Sequence, residues 1–287
     1  MDKFLIVTNR DKDKDLKITR DIQEYLESKG KDCHLAVPLE GNDLLETGFT
    51  DVTQLQEDVE CVIVLGGDGT FIQTVRDFAG LDIPIVGVNL GTVGFLAAID
   101  VESLYEGLDA LIDGKYTVQH RILLGGEVYR NGRRLQKSIA FNDIVVACAG
   151  FSRLVELKIY VNNQLLDIYA ADGVIVSTPT GSTGYNLSAG GPVVFPETQM
   201  MIITPICPHS LSARSVVVPS NAKIRIEVGR RRKTQKEEAL ITYDGQLVRE
   251  LESGDIVEVV QAAVQAPIIN IRQKNFCDIL RDKMKNG

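Results

Sequence analysis

An apolar run that ends directly in a glycine-rich turn is the feature that most constrains this chain. The run Cys61-Val-Ile-Val-Leu65 is followed by Gly66-Gly-Asp-Gly-Thr70, and residues 71–75 then begin a helical pattern. Glycines remove the Cβ groups that would keep a bulky anion from the backbone, and N–H groups at a helix start favour phosphate. The sequence therefore predicts a buried strand, a phosphate-binding turn and a helix, with one carboxylate, Asp68, in the turn.

The carboxylate of Asp68 would repel phosphate unless it has a second task. Such a group can bind Mg²⁺ or accept a proton from an attacking hydroxyl. The chain contains no Gly-x-x-x-x-Gly-Lys-Ser/Thr, and no Gly-x-Gly-x-x-Gly follows its first strand. These absences argue against a P-loop enzyme and against the usual dinucleotide-binding fingerprint.

Short apolar runs alternate with helical patterns over the first hundred residues. Strands are predicted at 4–8, 33–37, 61–65 and 84–88, and a helix at 15–29. Strands of about five residues separated by helices imply a parallel sheet that is covered on both faces. Ligands bind beyond the carboxyl ends of such strands, so the glycine turn and the second glycine-bearing loop, residues 89–95, are expected at the same edge.

The pattern changes after a helix predicted at 104–112. The remaining strands are predicted at 121–130, 134–148, 153–161, 164–170, 173–177, 215–219, 222–228, 239–243, 255–260 and 267–272. We expect an α/β N-terminal domain with a parallel sheet over residues 1–100 and an all-β C-terminal domain over 101–272. The C-terminal tail, 273–287, contains a short predicted helix at 276–284 and is a candidate to pack back on the first domain.

Composition excludes several classes of partner. The net charge is −8 and no long basic tract is present, so nucleic acid is not an expected partner. The cluster Arg230-Arg-Arg-Lys233 favours a solvated hairpin tip over a binding patch.

The cysteines and the hydropathy pattern indicate the cellular location. Five cysteines without a Cys-x-x-Cys pair are typical of a protein in a reducing cytosol. Neither a signal peptide nor an apolar stretch of the ~20 residues that span a bilayer is evident, so the expected location is cytoplasmic, without a membrane partner.

Residues 172–192 form the densest polar stretch of the chain. Hydroxyl and amide side chains stand here between glycines, at Ser177, Thr178, Thr180, Ser182, Thr183, Tyr185 and Asn186. Ribose hydroxyls and phosphates are recognised by neutral donors and acceptors of this kind. The alternative is a long polar loop that bridges two strands.

Two shorter motifs leave their alternatives open. Asn142-Asp143 places an amide beside a carboxylate. The two side chains could bind a ribose diol, or they could simply form a turn at the start of a strand. The turn Tyr243-Asp-Gly-Gln246 is typical of a β-hairpin. His209, in the proline-containing stretch 204–214, suits a structural histidine better than a catalytic base. The other histidines have no metal-ligand spacing with it, which argues against a zinc site.

The glycine turn by itself resembles those of NAD kinases, diacylglycerol and sphingosine kinases and 6-phosphofructokinases. Three further stretches, 89–95, 172–192 and 204–214, make the chain similar to the NAD kinase family of bacterial type. This resemblance implies phosphorylation of the 2′-hydroxyl of the adenosine ribose of NAD, giving NADP, with ATP or another phosphoryl donor and Mg²⁺ or another divalent cation. It also implies a homodimer or homotetramer and a β-rich NAD-binding domain.

The resemblance also assigns residues. Asp68 matches the aspartate that serves as general base or metal organiser, and no side chain is assigned as a dedicated metal ligand. The positions that match, or lie within, the nucleotide-binding motifs are Gly67, Gly69, Thr70, Phe95, Asn142, Asp143, Arg153, Asp172, Thr180, Thr183, Gly184, Tyr185, Asn186, Ser188 and Gln246. Three positions depart from the family pattern. Asp143 occupies a position where the family usually has glutamate, and Gly184 one where alanine is common. Ala170 occupies a position where some members have a basic residue.

Two other functions share part of this pattern. A lipid or sphingoid kinase would share the glycine turn, but it leaves residues 204–214 without an explanation. A non-catalytic dinucleotide sensor predicts a damaged glycine turn, whereas Asp68 is present. The order of the four stretches favours NAD kinase.

Overall fold

The structure of the chain is a computed structural model that describes residues 1–36, 50–55, 58–91, 94–149, 154–229, 238–271 and 275–285. The chain divides into two compact units. Unit 1 comprises Met1–Arg121 and Gln265–Gly287, and unit 2 comprises Ile122–Val264. The predicted cluster at 230–233 and the predicted site residue Arg153 lie outside the described residues.

The strands and helices have the following bounds. The strands are β1 (Lys3–Thr8), β2 (Asp32–Leu35), β3 (Cys61–Gly66), β4 (Ile85–Asn89), β5 (Ile99–Asp100), β6 (Thr117–Arg130), β7 (Arg133–Ala140), β8 (Asp143–Cys148), β9 (Val155–Val161), β10 (Gln164–Ala171), β11 (Gly173–Ser177), β12 (Met200–Ile206), β13 (Val216–Pro219), β14 (Ile224–Val228), β15 (Glu238–Tyr243), β16 (Leu247–Glu252) and β17 (Ile256–Asn270). The α-helices are α1 (Lys17–Ser28), α2 (Asp68–Asp77), α3 (Leu104–Ile112), α4 (Tyr185–Ser188) and α5 (Phe276–Lys285), and short 3₁₀ turns span Val52–Gln54, Val101–Ser103 and Thr180–Thr183.

Unit 1 is built on a parallel sheet. Its strands lie in the order β17–β4–β3–β1–β2, where β17 joins through Ile268, and each of these neighbouring pairs runs parallel. All six residues of β3 are buried, as a strand covered on both faces requires. The last residues of β3 and β4, Gly66 and Asn89, are paired in register, and Thr8 of β1 pairs with Leu65. The carboxyl ends of three strands therefore lie side by side.

Helix α3 belongs to the core of unit 1. Its apolar residues Leu104, Leu108 and Leu111 are buried together with Ile99 and the strands of the sheet. The boundary between unit 1 and unit 2 lies after Arg121, whereas the sequence predicts a domain boundary near residue 100. The C-terminal residues also fall in unit 1, where the ring of Phe276 lies 6.4 Å from that of Phe95 between centroids.

Unit 2 is all-β apart from short helical turns. One antiparallel set contains β10–β9–β14–β17, with the β6–β7 hairpin, and the other follows the order β13–β12–β11–β8–β15–β16. Buried residues of both sets share one core, in which Val146 and Val174 pack with Ile224 and Ile226. The predicted fold class, a parallel α/β domain followed by a β-rich domain, is confirmed.

Several strand boundaries differ from the prediction. The run predicted as one strand at 134–148 is two strands, because residues 141–142 leave the ladder. Strand β12 includes Thr204 and Pro205, which the sequence places in a loop, and β16 is not predicted at all. The two strands predicted at 255–260 and 267–272 are a single strand, β17. These differences depend on partners that are distant in the chain.

Two global features accompany the fold. No helix in the described part of the chain is long and apolar enough to cross a bilayer; α1, for example, has 12 residues. All five cysteines are free thiols, and burial raises the pKa of Cys33 to about 12.

Candidate active site

The glycine turn connects β3 with α2 and places Asp68 at the start of the helix. Gly67 is the N-cap residue, with extended backbone, and Asp68 is the first helical residue. The backbone N–H of Phe95 donates to Asp68 Oδ2 at 3.2 Å. The other oxygen, Oδ1, is buried and has no hydrogen-bond partner among the described residues. Asp68 is therefore held by one oxygen, while the other is buried without a hydrogen bond to the described residues.

The carboxylate of Asp68 also lies against Gly94. A Cβ built on Gly94 would overlap Asp68 Oδ1, so any larger side chain there would displace the carboxylate. Gly94 therefore belongs to the surroundings of Asp68, a role that the sequence pattern does not predict. Its place in the second glycine-bearing loop was the available signal. The structure thus brings together Asp68, Gly94 and Phe95, the last of which was predicted.

Thr70 and Gly69 have different surroundings. The side-chain amide of Asn9 donates to Thr70 Oγ1 at 2.9 Å, and a Cβ on Gly66 would lie 2.6 Å from the same oxygen. The hydroxyl of Thr70 therefore packs inside the turn. Gly69, by contrast, is exposed, and a Cβ there would meet nothing within 4 Å. Of the predicted turn residues, Gly69 is the one that faces open space.

In unit 2, the carboxylate of Asp244 organises the start of β8. Asp244 Oδ2 accepts a hydrogen bond from the N–H of Phe141 at 2.9 Å. Its Oδ1 accepts from Asn142 at 2.7 Å and from Asp143 at 3.1 Å. Three backbone donors thus turn towards one carboxylate, which is why the strand is interrupted here. The local sequence around Asp244 indicates only a hairpin turn and does not predict this role.

Asp143 is a buried acid beside a second acid. Its side chain is only 6% exposed. Burial, and secondarily the charge of Asp244, raise the pKa of Asp143 to about 7. A substantial fraction of Asp143 is therefore protonated near neutral pH, so that its carboxyl group can donate as well as accept a hydrogen bond.

Asn142 is fixed through its backbone, and its amide oxygen is unpaired. Its carbonyl accepts from Thr178 N at 2.8 Å, and Gly181 packs so closely that a Cβ there would overlap this carbonyl. The side-chain Oδ1 is buried without a hydrogen-bond partner among the described residues. The amide nitrogen lies 3.6 Å from the Cβ position of Gly184. The structure therefore brings together the predicted residues Asn142, Asp143 and Gly184.

Much of the hydroxyl-rich stretch has a structural role. Thr178 Oγ1 donates to Phe141 O at 2.7 Å and accepts from Gly181 N at 3.0 Å. Ser182 Oγ donates to the carbonyl of Val194 and accepts from its N–H, at 3.2 and 3.0 Å. The density of hydroxyl groups between 172 and 192 therefore reflects internal hydrogen bonding as much as ligand binding.

Among the predicted binding residues, Asn186 has the side chain most fully hydrogen-bonded within the protein. It is completely buried, and its amide nitrogen donates to the carbonyls of Ser182 and Pro192 at 3.1 and 3.0 Å. Its Oδ1 accepts from Thr204 Oγ1 at 2.7 Å. Because every donor and the acceptor face protein groups, the side chain supports the loop.

Other predicted residues remain accessible. Tyr185 is 47% exposed, and burial of its hydroxyl raises its pKa, with further contributions from Cys207, Asp143 and Asp172. Asp172 and Ser188 are exposed. Thr180 is buried, and its carbonyl accepts from Thr183 Oγ1 at 3.3 Å. The backbone N–H of Gln246 donates to Tyr243 O at 3.0 Å, which closes the hairpin turn.

The loop after β12 shows no catalytic constellation in the described residues. His209 is exposed, and its backbone N–H donates to Ala170 O at 2.9 Å. The guanidinium of Arg214 donates to the carbonyls of Leu211 and Ala213. No group of three or more His, Cys, Asp or Glu side chains that could hold a metal ion is present in the described ranges.

Comparisons with known proteins place these two regions in a family. Residues 4–116 match the ATP-NAD kinase N-terminal domain, and residues 141–271 match the ATP-NAD kinase C-terminal domain. The NAD kinase of Lachnoclostridium phytofermentans is 44% identical over 285 residues, which cover 99% of both chains. The NAD kinase of Lachnospira eligens is 40% identical over 290 residues, with 98% of this chain and 99% of the relative covered.

Solved structures show the same fold. Yeast NADH kinase complexed with NADH superimposes with a TM-score of 0.82 at 21% identity, over 99% of this chain and 88% of the other. An NAD kinase from Archaeoglobus fulgidus in complex with ATP gives a TM-score of 0.77 at 23% identity and 99% coverage of both chains. With both domains matched and relatives aligned over almost their whole length, this chain belongs to the NAD kinase family.

Proposed function

We propose that the chain transfers the γ-phosphoryl group of ATP to the 2′-hydroxyl of the adenosine ribose of NAD, giving NADP and ADP. The observation that carries this function is the near-complete alignment with NAD kinases, in which both family domains are present in order. The alternatives of a lipid kinase and a non-catalytic sensor are not favoured by these relatives. NAD kinase activity follows from the family.

We propose that Asp68 orients the attacking hydroxyl and accepts its proton. The Phe95 N–H occupies Oδ2, which leaves the buried Oδ1 to accept a hydrogen bond from the ribose 2′-hydroxyl. As the oxygen–phosphorus bond forms and the bond to the leaving phosphate breaks, the hydroxyl proton passes to this oxygen. Phosphoryl transfer needs chiefly positioning and charge neutralisation, and one fixed carboxylate supplies the positioning.

The residues present are compatible with Mg²⁺ that arrives with the nucleotide. Asp68 Oδ1 is a hard oxygen without a partner, whereas the described residues contain no cluster of three ligating side chains. Mg²⁺ commonly binds through one or two carboxylates together with substrate phosphates and water. We propose that Asp68 is the protein group near the ion, and that the ion supplies neutralisation of phosphate charge.

We propose that accessible groups of unit 2 bind the nucleotide substrates. The free amide oxygen of Asn142 and the carboxyl of Asp143 suit the donors of an adenosine group. Tyr185 offers an exposed ring for stacking. The other candidates for polar contacts are Asp172, Thr183, Ser188 and Gln246. Asn186 is left out of this set, because its amide is fully used inside the protein.

The overall function is tested by incubating the purified protein with NAD, Mg²⁺ and ATP. NADP is then measured with an NADP-specific dehydrogenase, and parallel reactions contain inorganic polyphosphate or another nucleoside triphosphate as donor. We expect NADP with ATP. Absence of NADP with every donor would refute the proposed function, and NADP with polyphosphate alone would refute ATP as the donor.

We further propose that the chain forms a homodimer or homotetramer. Strand β10 lies at the end of its sheet and exposes three apolar side chains, Leu165, Leu166 and Ile168. An unpaired edge with apolar side chains is a typical surface for strand pairing between copies. Light scattering coupled to gel filtration should show more than one chain in each particle. Ile168→Lys should shift the particle towards the monomer; a monomeric wild type would contradict the proposal.

A cytoplasmic location is also proposed. Its support is the set of five free cysteines, which suits a reducing compartment. Fractionation of the source cells should recover the chain with cytoplasmic markers. Recovery with the membrane or an extracytoplasmic fraction would contradict this location.

A further inference from the structure

Lys12 lies in a structured loop beside the glycine turn of unit 1. This loop connects β1 to α1 and leaves the sheet next to β3, where Asn9 N donates to Leu65 O at 2.8 Å. Asn9 Oδ1 accepts from the backbone N–H groups of Asp11 and Lys12 at 3.0 and 3.3 Å. Its Nδ2 donates to Thr70 Oγ1, as described above. One asparagine thus ties the Lys12 loop to the turn.

The far side of the loop is equally well fixed. Asp13 is buried, and its Oδ2 accepts from Thr19 N at 2.9 Å and from Thr19 Oγ1 at 2.7 Å. The hydroxyls of Thr19 and Thr8 are 2.8 Å apart. These contacts anchor the first turn of α1 to the end of β1, so that the backbone of Lys12 is held between two anchored residues.

The side chain of Lys12 lies over two glycines from different loops. Its Nζ is 2.6 Å from the position that a Cβ on Gly67 would occupy and 3.5 Å from the corresponding position on Gly91. Gly67 precedes α2, and Gly91 follows β4. The ammonium group reaches this place because neither glycine carries a side chain. The exposed lysine therefore lies next to both glycine-bearing loops.

Two positive groups, the ammonium of Lys12 and the N-terminus of α2, lie close together here, and Asp68 is the first residue of the same helix. The first N–H groups of α2 form the positive end of a helix dipole, and the ammonium of Lys12 lies directly above its N-cap residue. No ion pair joins Lys12 to a carboxylate in the part of the chain that the structure describes. An ammonium and a helix N-terminus repel each other, and an anion between them attracts both.

We propose that Lys12 binds a phosphate group of a bound nucleotide, together with the backbone N–H groups at the start of α2. This assignment rests on the proposed function. It gives the chain a phosphate-binding lysine that comes from the loop after β1, although the glycine turn itself carries none. The positive charge of the lysine would also offset the repulsion between the Asp68 carboxylate and a nearby phosphate.

The phosphate can belong to ATP or to the pyrophosphate of NAD, and separate measurements distinguish them. Calorimetry gives the Kd for MgATP and for NAD independently, since the chain contains no tryptophan for intrinsic fluorescence. Steady-state assays give KM for each nucleotide and kcat. The variants are Lys12→Met, Lys12→Arg and Lys14→Met. Lys14 is an exposed lysine of the same loop and serves as the matched control for loss of one positive charge.

We expect Lys12→Met to weaken the binding of one nucleotide about tenfold or more, in both Kd and KM, which corresponds to ~1.4 kcal/mol. Lys12→Arg should recover most of this loss, and Lys14→Met should remain within about twofold of the wild type. Weaker MgATP binding identifies the donor phosphates, and weaker NAD binding identifies the pyrophosphate of the acceptor.

Three results would overturn the inference. One is that both nucleotides bind Lys12→Met as tightly as the wild type. Another is a fall in kcat with unchanged Kd and KM values. The third is an equal loss in Lys14→Met, which would indicate only a general effect of net charge. A wild type that makes no NADP would refute the proposed function itself, whereas an active wild type with an unaffected Lys12→Met variant refutes only the role of Lys12.

Discussion

The two polar regions of this protein differ in how their polar atoms are partnered. In the hydroxyl-rich stretch, Thr178, Ser182 and Asn186 bond to other protein groups. In the glycine turn there are few polar side chains, yet one oxygen of Asp68 is buried without a partner among the described residues. The polar groups of the hydroxyl-rich stretch therefore stabilise their own loop, whereas the unpartnered oxygen of Asp68 is the group that we propose for the substrate hydroxyl.

The physical reason is the cost of leaving a buried polar atom without a hydrogen bond. This cost is about 1–3 kcal/mol, and most buried groups in proteins are paired. A loop that crosses the interior of unit 2 must therefore supply its own donors and acceptors. An unpaired carboxylate oxygen persists where function needs it. The following predictions test whether the two regions differ in this way.

The largest effect is expected for Asp68→Asn. This substitution keeps the shape of the side chain but removes its capacity to accept a proton, so kcat should fall by about 10²- to 10⁴-fold. The Kd for NAD should change by less than about threefold, because the binding groups assigned to NAD in unit 2 are untouched. NADP formation and calorimetry measure the two quantities. If the Asp68→Asn variant kept more than a tenth of the wild-type kcat, Asp68 would not act in the chemical step.

Gly94→Ala should have the next largest effect. The added methyl group would overlap the Asp68 carboxylate and force it from its position. A displacement of about 1 Å near reacting groups can cost about a hundredfold, so we expect kcat to fall by about 10- to 100-fold.

Gly125→Ala is the matched control for this prediction. A Cβ on Gly125 would meet Ala262 Cα at 3.7 Å, which is an ordinary contact. Its turnover should remain close to that of the wild type. Equal turnover in Gly94→Ala and the wild type would show that the packing of Gly94 against Asp68 does not set the active geometry.

Asn186→Ala should affect stability more than chemistry. It leaves the carbonyls of Ser182 and Pro192 and the hydroxyl of Thr204 without their amide partner. We expect the free energy of unfolding to fall by about 3 kcal/mol in urea titrations. The folded variant should keep its KM for NAD within about threefold.

The control for Asn186 is Thr198→Ala, which removes one exposed hydrogen bond to Phe195 O. It should cost about 0.5 kcal/mol or less. If Asn186→Ala were as stable as Thr198→Ala but had a much higher KM for NAD, Asn186 would be a binding residue after all. The distinction drawn between the two regions would then fail.

The smallest effect concerns pH and Asp143. Its pKa is about 7 in the folded chain, against an ordinary value of 3.8, because of burial and the neighbouring Asp244. The folded state therefore binds this proton more tightly than the unfolded state. The resulting stabilisation is fully present below the ordinary pKa and is lost as pH rises through about 7.

We expect the stability of the wild type relative to Asp143→Asn to fall by about 2 kcal/mol between pH 5.5 and 7.5. Urea titrations of both proteins at the two pH values measure this difference, and titrating groups that do not interact with Asp143 cancel in the comparison. A constant difference would show that the folded and unfolded states do not differ in proton binding at Asp143 over this range, and would contradict the prediction.

Local patterns predicted much of the fold. Each strand of the parallel sheet is a short apolar run, and α1 has buried Ile22 and Leu26 at helical spacing. Strand β12 was missed because Pro205 suggests a loop, whereas in the structure this residue pairs with Val174. The break before β8 was missed because it depends on Asp244, about a hundred residues further along the chain.

The sequence by itself determined the alternation of strands and helices, the change to β structure in the second half, and the glycine turn with Asp68. These features are local, since hydrophobic periodicity and the small size of glycine act within a few residues. Only the tertiary structure decided which polar groups are already paired, that Gly94 and Phe95 hold Asp68, and that Lys12 lies over Gly67 and Gly91. Hydrogen bonds and charges act across space, and their partners come from loops that only the folded sheet brings together.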